Sequence, residues 1–191
     1  MLELKFKPFP VLETEHLLLR RITKKDAEDI YAFRKEPEVM QYIGKPTAKS
    51  VKDVKELISK IDDGIKSNSN IAWGITVKPS NIVIGTIGFH SVEKYHYRAE
   101  VGYMLNQNYW NKRVGSEALE AVLRFGFLSM NLHSIEAKLD SANVASKKLL
   151  TKFNFVTEAY FKENYYFEGQ FQDTEVCSLL RKEFTKLDLP K

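Results

Sequence analysis

Lys112 and Arg113, followed by Val114, Gly115 and Ser116, sit in a short loop that opens onto a segment of helical apolar period. A helix N-terminus presents N–H groups without intrahelical partners and the positive end of the helix dipole. With two cations beside it, that arrangement suits an anion, most naturally a phosphate or pyrophosphate. An ordinary capped helix start with surface cations carries the same signature. The loop is neither a Walker loop nor a Gly-x-Gly-x-x-Gly fingerprint. A second group, Asn143-Val-Ala-Ser146, stands at another helix start, where Asn143 can cap backbone N–H groups. Asn154 follows that helix and suits a left-handed C-terminal cap. Glu100 and Glu136 lie on successive expected strands, and either can take up a proton, directly or through a water, if it faces a cleft. Both read equally as ordinary strand glutamates. The lone cysteine, Cys177, lies in the strand-like run Glu175-Val-Cys-Ser-Leu-Leu without a histidine nearby, so a buried, inert thiol is expected. His16, His90, His96 and His133 form no metal-like cluster with it, and no metal is expected.

The elements that must hold these residues follow from periodicity. Leu17–Ile22 reads as a first strand after a short tail, and Lys25–Arg34 and Ser50–Asn68 read as helices, the second with Val54, Leu57, Ile58, Ile61 and Ile65 on one stripe. Between them Glu36-Pro37-Glu38 reads as a helix break. Alternation marks strands over Ile71–Val77, Ile82–Phe89 and Ala99–Leu105, with a turn at Pro79-Ser80-Asn81. In the last of these, Val101, Tyr103 and Leu105 share one face, and Glu100, Gly102 and Met104 the other. Glu117–Leu128 reads as an amphipathic helix, Leu132–Leu139 as a strand, and Ala145 to Phe153 as a second helix. Phe155–Phe161, Tyr165–Phe167 and Phe171–Leu180 close the chain as strands, with a turn at Glu168-Gly169. A meander followed by helix–strand–helix–strand implies an α+β sandwich around one mixed sheet.

Composition bounds the function classes. The chain has 191 residues with 43% hydrophobic and 28% charged residues, which suits one globular domain spanning 1–191, with a core of about 14–180. One cysteine excludes an intramolecular disulfide framework and points to a reducing, cytoplasmic setting. No apolar run approaches the ~20 residues needed to cross a bilayer, so no membrane association is expected. The net charge of +4 fits either a mixed solvated surface or a local basic site. No direct nucleic-acid binding is expected, and a homodimer is compatible with the sequence.

Taken in order, Glu100 to Leu119 and Asn143 to Phe155 resemble the two acetyl-CoA-binding motifs of the GNAT superfamily of N-acetyltransferases. Thr14-Glu-His-Leu-Leu-Leu-Arg20, Glu36-Pro-Glu-Val-Met-Gln-Tyr-Ile43 and the tail from Thr157-Glu158-Ala159 through Asp173 to Ser178-Leu-Leu180 narrow the resemblance. They are similar to the branch containing the N-terminal (alanine/serine) acetyltransferases of ribosomal proteins. The resemblance covers Thr14 to Leu180 and implies the GNAT fold, acetyl-CoA as cosubstrate and direct attack of a neutral amine on the thioester. It implies that the 112–116 loop wraps the CoA pyrophosphate. Trp110, Asn111 and Arg113 stand where the family usually has Gln or Arg, Gly and Gly, while Gly115 and Ser116 match. Arg113 either weakens this cradle or replaces fit with charge; charge is favoured because Lys112 and Arg113 flank an expected dianionic group.

The resemblance also assigns Met104 and Leu105 to main-chain contacts with the pantetheine arm, Asn143 to orienting it, and Ser146 to hydrogen-bonding the CoA sulfur. The tyrosine acid of many superfamily members is replaced by Leu150. Glu100 is the favoured carboxylate for proton removal. At pH ~7.4 a lysine-like amine of pKa ~10.4 needs roughly 4 kcal/mol to deprotonate, an α-amine of pKa ~7.8 about 0.5. Weak base candidates therefore match a protein N-terminal α-amine, such as that of a ribosomal protein. Small-molecule amines (a polyamine, an aminoglycoside, an amino acid) and a non-catalytic acyl-CoA-binding module are the alternatives. The aromatic residues Tyr160, Phe161, Tyr165, Tyr166, Phe167 and Phe171 either wall an acceptor cleft with residues 36–43 or serve sheet packing and interface contacts.

Overall fold

The computed structural model describes residues 1–184; the end of the expected domain, 185–191, lies outside the described residues. Leu12–Glu13 (β1) and Leu17–Arg21 (β2) pair antiparallel, and the meander continues through Ile71–Val77 (β3), Gly85–Glu93 (β4) and Arg98–Leu105 (β5). Ser134–Asp140 (β6) runs parallel to β5. Val156–Phe167 (β7) and Gln170–Leu180 (β8) form a hairpin whose second strand enters beside β6, so the sheet order is β1-β2-β3-β4-β5-β6-β8-β7. The hairpin turns on Glu168 and Gly169, both at positive φ, as a two-residue turn of matching twist requires.

Helices cover both faces. Ala27–Arg34 (α1), Pro37–Met40 (α2) and Val51–Lys66 (α3) lie on one side, where Ile22, Ile30, Phe33, Val54, Ile58, Val83 and Met104 form a buried cluster. Ser50 caps α3 by accepting from the Asp53 N–H, and Asp53 answers to the Ser50 N–H, a reciprocal box. Val114–Arg124 (α4), continued by a wide turn at Phe125–Ser129, covers the other face. Its stripe Ala118, Leu119, Val122 and Leu123 is fully buried with Trp73, Phe89 and Val101, each large side chain contributing about 1.5–3 kcal/mol. Val144–Lys152 (α5) and Arg181–Phe184 (α6) are the remaining α-helices among the described residues.

Several expectations are corrected. The break expected at Glu36-Pro37-Glu38 is present, α1 ending at Arg34 with Glu36 extended, but Pro37 also starts a short helix of its own, at the first helical position where its missing N–H costs nothing. The helix expected from Glu117 starts at Val114, so Gly115 and Ser116 belong to its first turn rather than to the loop. The strand expected from Ile82 begins at Gly85, because the Val83 N–H goes to the Asp29 carboxylate. Residues 1–6 are not a loose tail: Leu2, Leu4 and Phe6 are buried, and the Leu2 N–H bonds the Lys94 carbonyl. The expected gap between Phe161 and Tyr165 is a bulge inside a continuous β7, with Glu163 at positive φ.

Candidate active site

The sheet splits at its centre. Parallel pairing between β5 and β6 is confined to Arg98 with Ser134, Ala99 with Ile135 and Glu100 with Glu136. Beyond it β5 stays with β4 as far as Leu105, and β6 stays with β8 as far as Asp140, so the two strands part. A cavity of about 510 Å³ occupies the opening and reaches the face that carries α1 and α3. The Asn106 N–H bonds the Ile84 carbonyl. By antiparallel alternation the 86/104 and 88/102 pairs are then the hydrogen-bonded ones, which aims the main-chain groups of Val101, Tyr103 and Leu105 into the split. The Leu105 main chain thus faces the opening, whereas the Met104 main chain faces β4, and its side chain is buried on the other face beside Arg34. The Leu105 carbonyl accepts the Trp110 indole N–H at 2.9 Å.

At the end of β5 the loop delivers α4. Asn111 and Arg113, which stand where the family usually has glycine, have φ of 58° and 63°, the left-handed region glycine enters without strain. Arg113 is the residue before the helix and supplies no side-chain cap; the first intrahelical bond runs from the Glu117 N–H to its carbonyl. The N–H groups of Val114, Gly115 and Ser116 are therefore presented to solvent. Lys112 lies over the Tyr109 ring at 5.8 Å, and Lys152, from the end of α5, donates to the Ser116 hydroxyl at 3.1 Å. Lys152 adds a third cation that sequence spacing did not reveal. Glu117 is turned away: it accepts from the Thr14 hydroxyl and the His16 N–H. Burial pushes its carboxyl up, but these hydrogen bonds outweigh that and hold it below the ordinary range. Its charge is thereby spent on the β1–β2 turn.

Across the split, the Tyr103 hydroxyl and the Ser146 hydroxyl share a 2.6 Å hydrogen bond. Burial pushes the Tyr103 phenol up to about 12, against the pull of that bond, so it stays a neutral O–H donor. Asn143 caps α5 by accepting the Ser146 N–H at 3.0 Å, which orients Ser146. Leu150 is buried in the core. From the sequence Tyr103 reads only as a sheet-face residue; its place opposite Ser146 depends on the splitting of the sheet.

On the α1/α3 face, the register of β4 against β5 passes from Phe89–Val101 to Val92–Ala99. His90 and Ser91 thus oppose Glu100 alone, a bulge that re-aims side chains. The His90 ring lies over Gly102, where an added Cβ would come within 2.6 Å of it. His90 is exposed toward the cavity, but the surrounding protein still desolvates the ring and lowers its pKa from 6.5, which the nearby Glu100 charge offsets only in part. Lys138 donates to Glu100 at 3.0 Å and also reaches Glu136; the Glu100 bond chiefly keeps it protonated. Glu136 is buried and ion-paired with Arg98, a structural role. Cys177 is buried, which raises its pKa. Among the described residues no cluster of His, Cys, Asp or Glu is gathered to hold a metal ion. Tyr42 and Ile43 line the cavity, and the Tyr165 hydroxyl donates to the Gly44 carbonyl, so β7 leans on this segment. None of the aromatic set lines the cavity itself; Tyr160, Phe161, Tyr165, Tyr166 and Phe171 are exposed on the hairpin.

The split sheet thus has a main-chain edge on one side and an uncapped helix start on the other. Residues 16–156 match the family described as Acetyltransferase (GNAT) domain. The chain belongs to the GNAT acetyltransferase family. It is 35% identical over 173 residues to the uncharacterized N-acetyltransferase YoaA of Bacillus subtilis, covering 91% of this chain and 98% of that one. A GNAT-family acetyltransferase structure from Bacillus anthracis superposes with a TM-score of 0.81 at 28% identity, covering 91% and 99% of the two chains. Two more distant relatives differ in acceptor. One is the [Ribosomal protein uS5]-alanine N-acetyltransferase of Escherichia coli, 26% identical over 67% of this chain and 66% of that one. The other is spermidine N-acetyltransferase from Vibrio cholerae in complex with CoA and spermine, TM-score 0.80 at 21% identity, covering 91% and 100%. The GNAT domain transfers an acetyl group from acetyl-CoA to an amine. Among the described residues no helix is long and apolar enough to cross a membrane.

Proposed function

We propose that this GNAT enzyme acetylates the α-amine of a protein or peptide N-terminus, ribosomal proteins being acceptors of that class. The observation that carries the reading is His90 beside Glu100 on the acceptor side of the split sheet. A ring held neutral at physiological pH accepts a proton from an amine of pKa ~7.8 without the roughly 4 kcal/mol that a lysine-like amine demands. Glu100, fixed by Lys138, favours the protonated ring once formed.

The residues present fit the cosubstrate. Leu105, Tyr103 and Val101 offer main-chain partners for the amides of a pantetheine arm, and Asn143 supports this side through Ser146. Lys112, Arg113 and Lys152, with the N–H groups of Val114, Gly115 and Ser116, suit a pyrophosphate. Acetyl-CoA supplies an activated thioester. The Tyr103–Ser146 hydroxyl pair donates a hydrogen bond toward the sulfur, the role that Leu150 cannot fill. Thiol release from acetyl-CoA, measured with N-terminal peptides and with spermidine, tests the reading. Turnover on peptides supports it, and turnover confined to spermidine refutes it.

A further inference from the structure

The wall of the acceptor cavity carries charge that proton transfer does not use. Arg34, at the end of α1, is half-buried, and among the described residues the one hydrogen-bond partner of its side chain is the Met104 sulfur, at 3.8 Å. Among the described residues no carboxylate pairs with it, and burial penalises its charge. A guanidinium presents five donors in a planar fork, so a lone thioether leaves most of them unanswered. Lys45 and Lys60 line the same cavity from the loop after α2 and from α3, and Lys138 lines it from β6. Among the described residues Glu100 is the single carboxylate in that wall, and Lys138 is bonded to it. The wall is therefore cationic overall, centred on a partly desolvated guanidinium shaped for bidentate contact with a carboxylate.

We propose that Arg34, flanked by Lys45 and Lys60, binds a carboxylate on the acceptor, so that the preferred substrate is an α-amine with an acidic group close behind it. A free acidic amino acid and a peptide with Asp or Glu next to its N-terminal residue share that chemistry. A polycationic amine meets like charge at the same wall. The inference rests on the α-amine reading above and narrows it.

The test compares kcat/KM on Ala-Asp- and Ala-Lys-initiated peptides, free glutamate and spermidine, with the wild type and with Arg34→Met and Lys60→Glu. The wild type prefers the Ala-Asp peptide by about 10- to 100-fold, the factor of one good hydrogen bond to a charged group. Arg34→Met loses most of that preference through a higher KM for the acidic acceptor, with its CoA-induced thermal shift retained. If that variant does not fold, Lys60→Glu still reads the wall charge by a smaller, salt-sensitive fall in the same ratio. Turnover of glutamate above the peptide assigns the site to the free amino acid, which supports the carboxylate inference but contradicts the peptide acceptor proposed above, and the reverse assigns it to the peptide. Good turnover of both peptides with equal kcat/KM overturns this inference and leaves the α-amine reading standing. Turnover confined to spermidine overturns both, as does a wild type that acetylates no α-amine.

Discussion

Arg113 is the sharpest point at which this site departs from its family, and its geometry allows strain and charge to be separated. The residue sits at φ 63° and ψ −9° immediately before α4 and is exposed. A side chain held in the left-handed region costs roughly 1–2 kcal/mol. Arg113→Gly removes that strain but gives the unfolded chain more freedom, about 0.5–1 kcal/mol, so a net gain of ~0.5–1 kcal/mol is expected. For a chain of this size that is roughly 1–4 °C in Tm. Arg113→Ala keeps the strain and removes only the charge, so its Tm does not rise. Because the guanidinium is exposed, its attraction for a pyrophosphate is modest, about 1–1.5 kcal/mol or five- to tenfold in CoA affinity at low salt, and less at high salt. Calorimetric Kd for CoA and thermal unfolding of both variants, beside Lys24→Glu as a remote charge control, give the answer. Weaker CoA binding by both Arg113 variants, with stabilisation only in the glycine one, is the expected pattern. A glycine variant that binds CoA more tightly than the wild type would refute the reasoning, and Arg113→Glu no weaker than Lys24→Glu would show a merely solvated cation.

The remaining expectations concern the two sides of the split. Tyr103→Phe and Ser146→Ala each lower kcat by about 10²-fold if the hydroxyl pair assists the leaving sulfur, and unchanged turnover in Ser146→Ala excludes that residue. Gly102→Ala drives a Cβ against the His90 ring; because the ring can swing, folding is retained at a cost of about 1 kcal/mol, while kcat/KM falls along with that of His90→Gln. The acid limb of kcat/KM in the wild type lies below the ordinary histidine value of 6.5, and a limb at or above it contradicts a neutral His90. Stability follows the same group. Its folded pKa is depressed, so the unfolded chain takes the proton first; stability is full above 6.5 and declines as pH falls from there toward the folded value. Urea midpoints from about pH 8 to 5 should fall less in His90→Gln than in the wild type. Gly115→Ala, whose Cβ meets only Leu149 at 3.6 Å, should stabilise α4 by up to about 1 kcal/mol.

What the sequence discloses is what depends on local chemistry. The cations at 112 and 113 next to a helix start, the Asn143 cap and the meander all follow from spacing within a few residues. His90 was invisible in that way, because its aim depends on a bulge, two residues of β4 against one of β5, which only the strand register reveals. Arg34 reads only as the last residue of a helix until α1 is laid across the cavity. Lys152 lies 36 residues from Ser116 and reaches it only after α5 packs beside α4. The buried N-terminus had left a signal: Leu2, Leu4 and Phe6 alternate with Glu3 and Lys5, a period-2 pattern too short to stand out from a tail. Asn111 and Arg113 show a different limit, since composition gives no sign that a cationic loop bends through left-handed conformations.

The most direct test of the α-amine assignment is mass-spectrometric localisation of the acetyl group on a peptide bearing a free N-terminal alanine, an aspartate beside it and one internal lysine, incubated with the enzyme and acetyl-CoA. Acetyl on the α-amine, with the lysine unmodified, is the predicted result; acetyl on the lysine side chain contradicts the account.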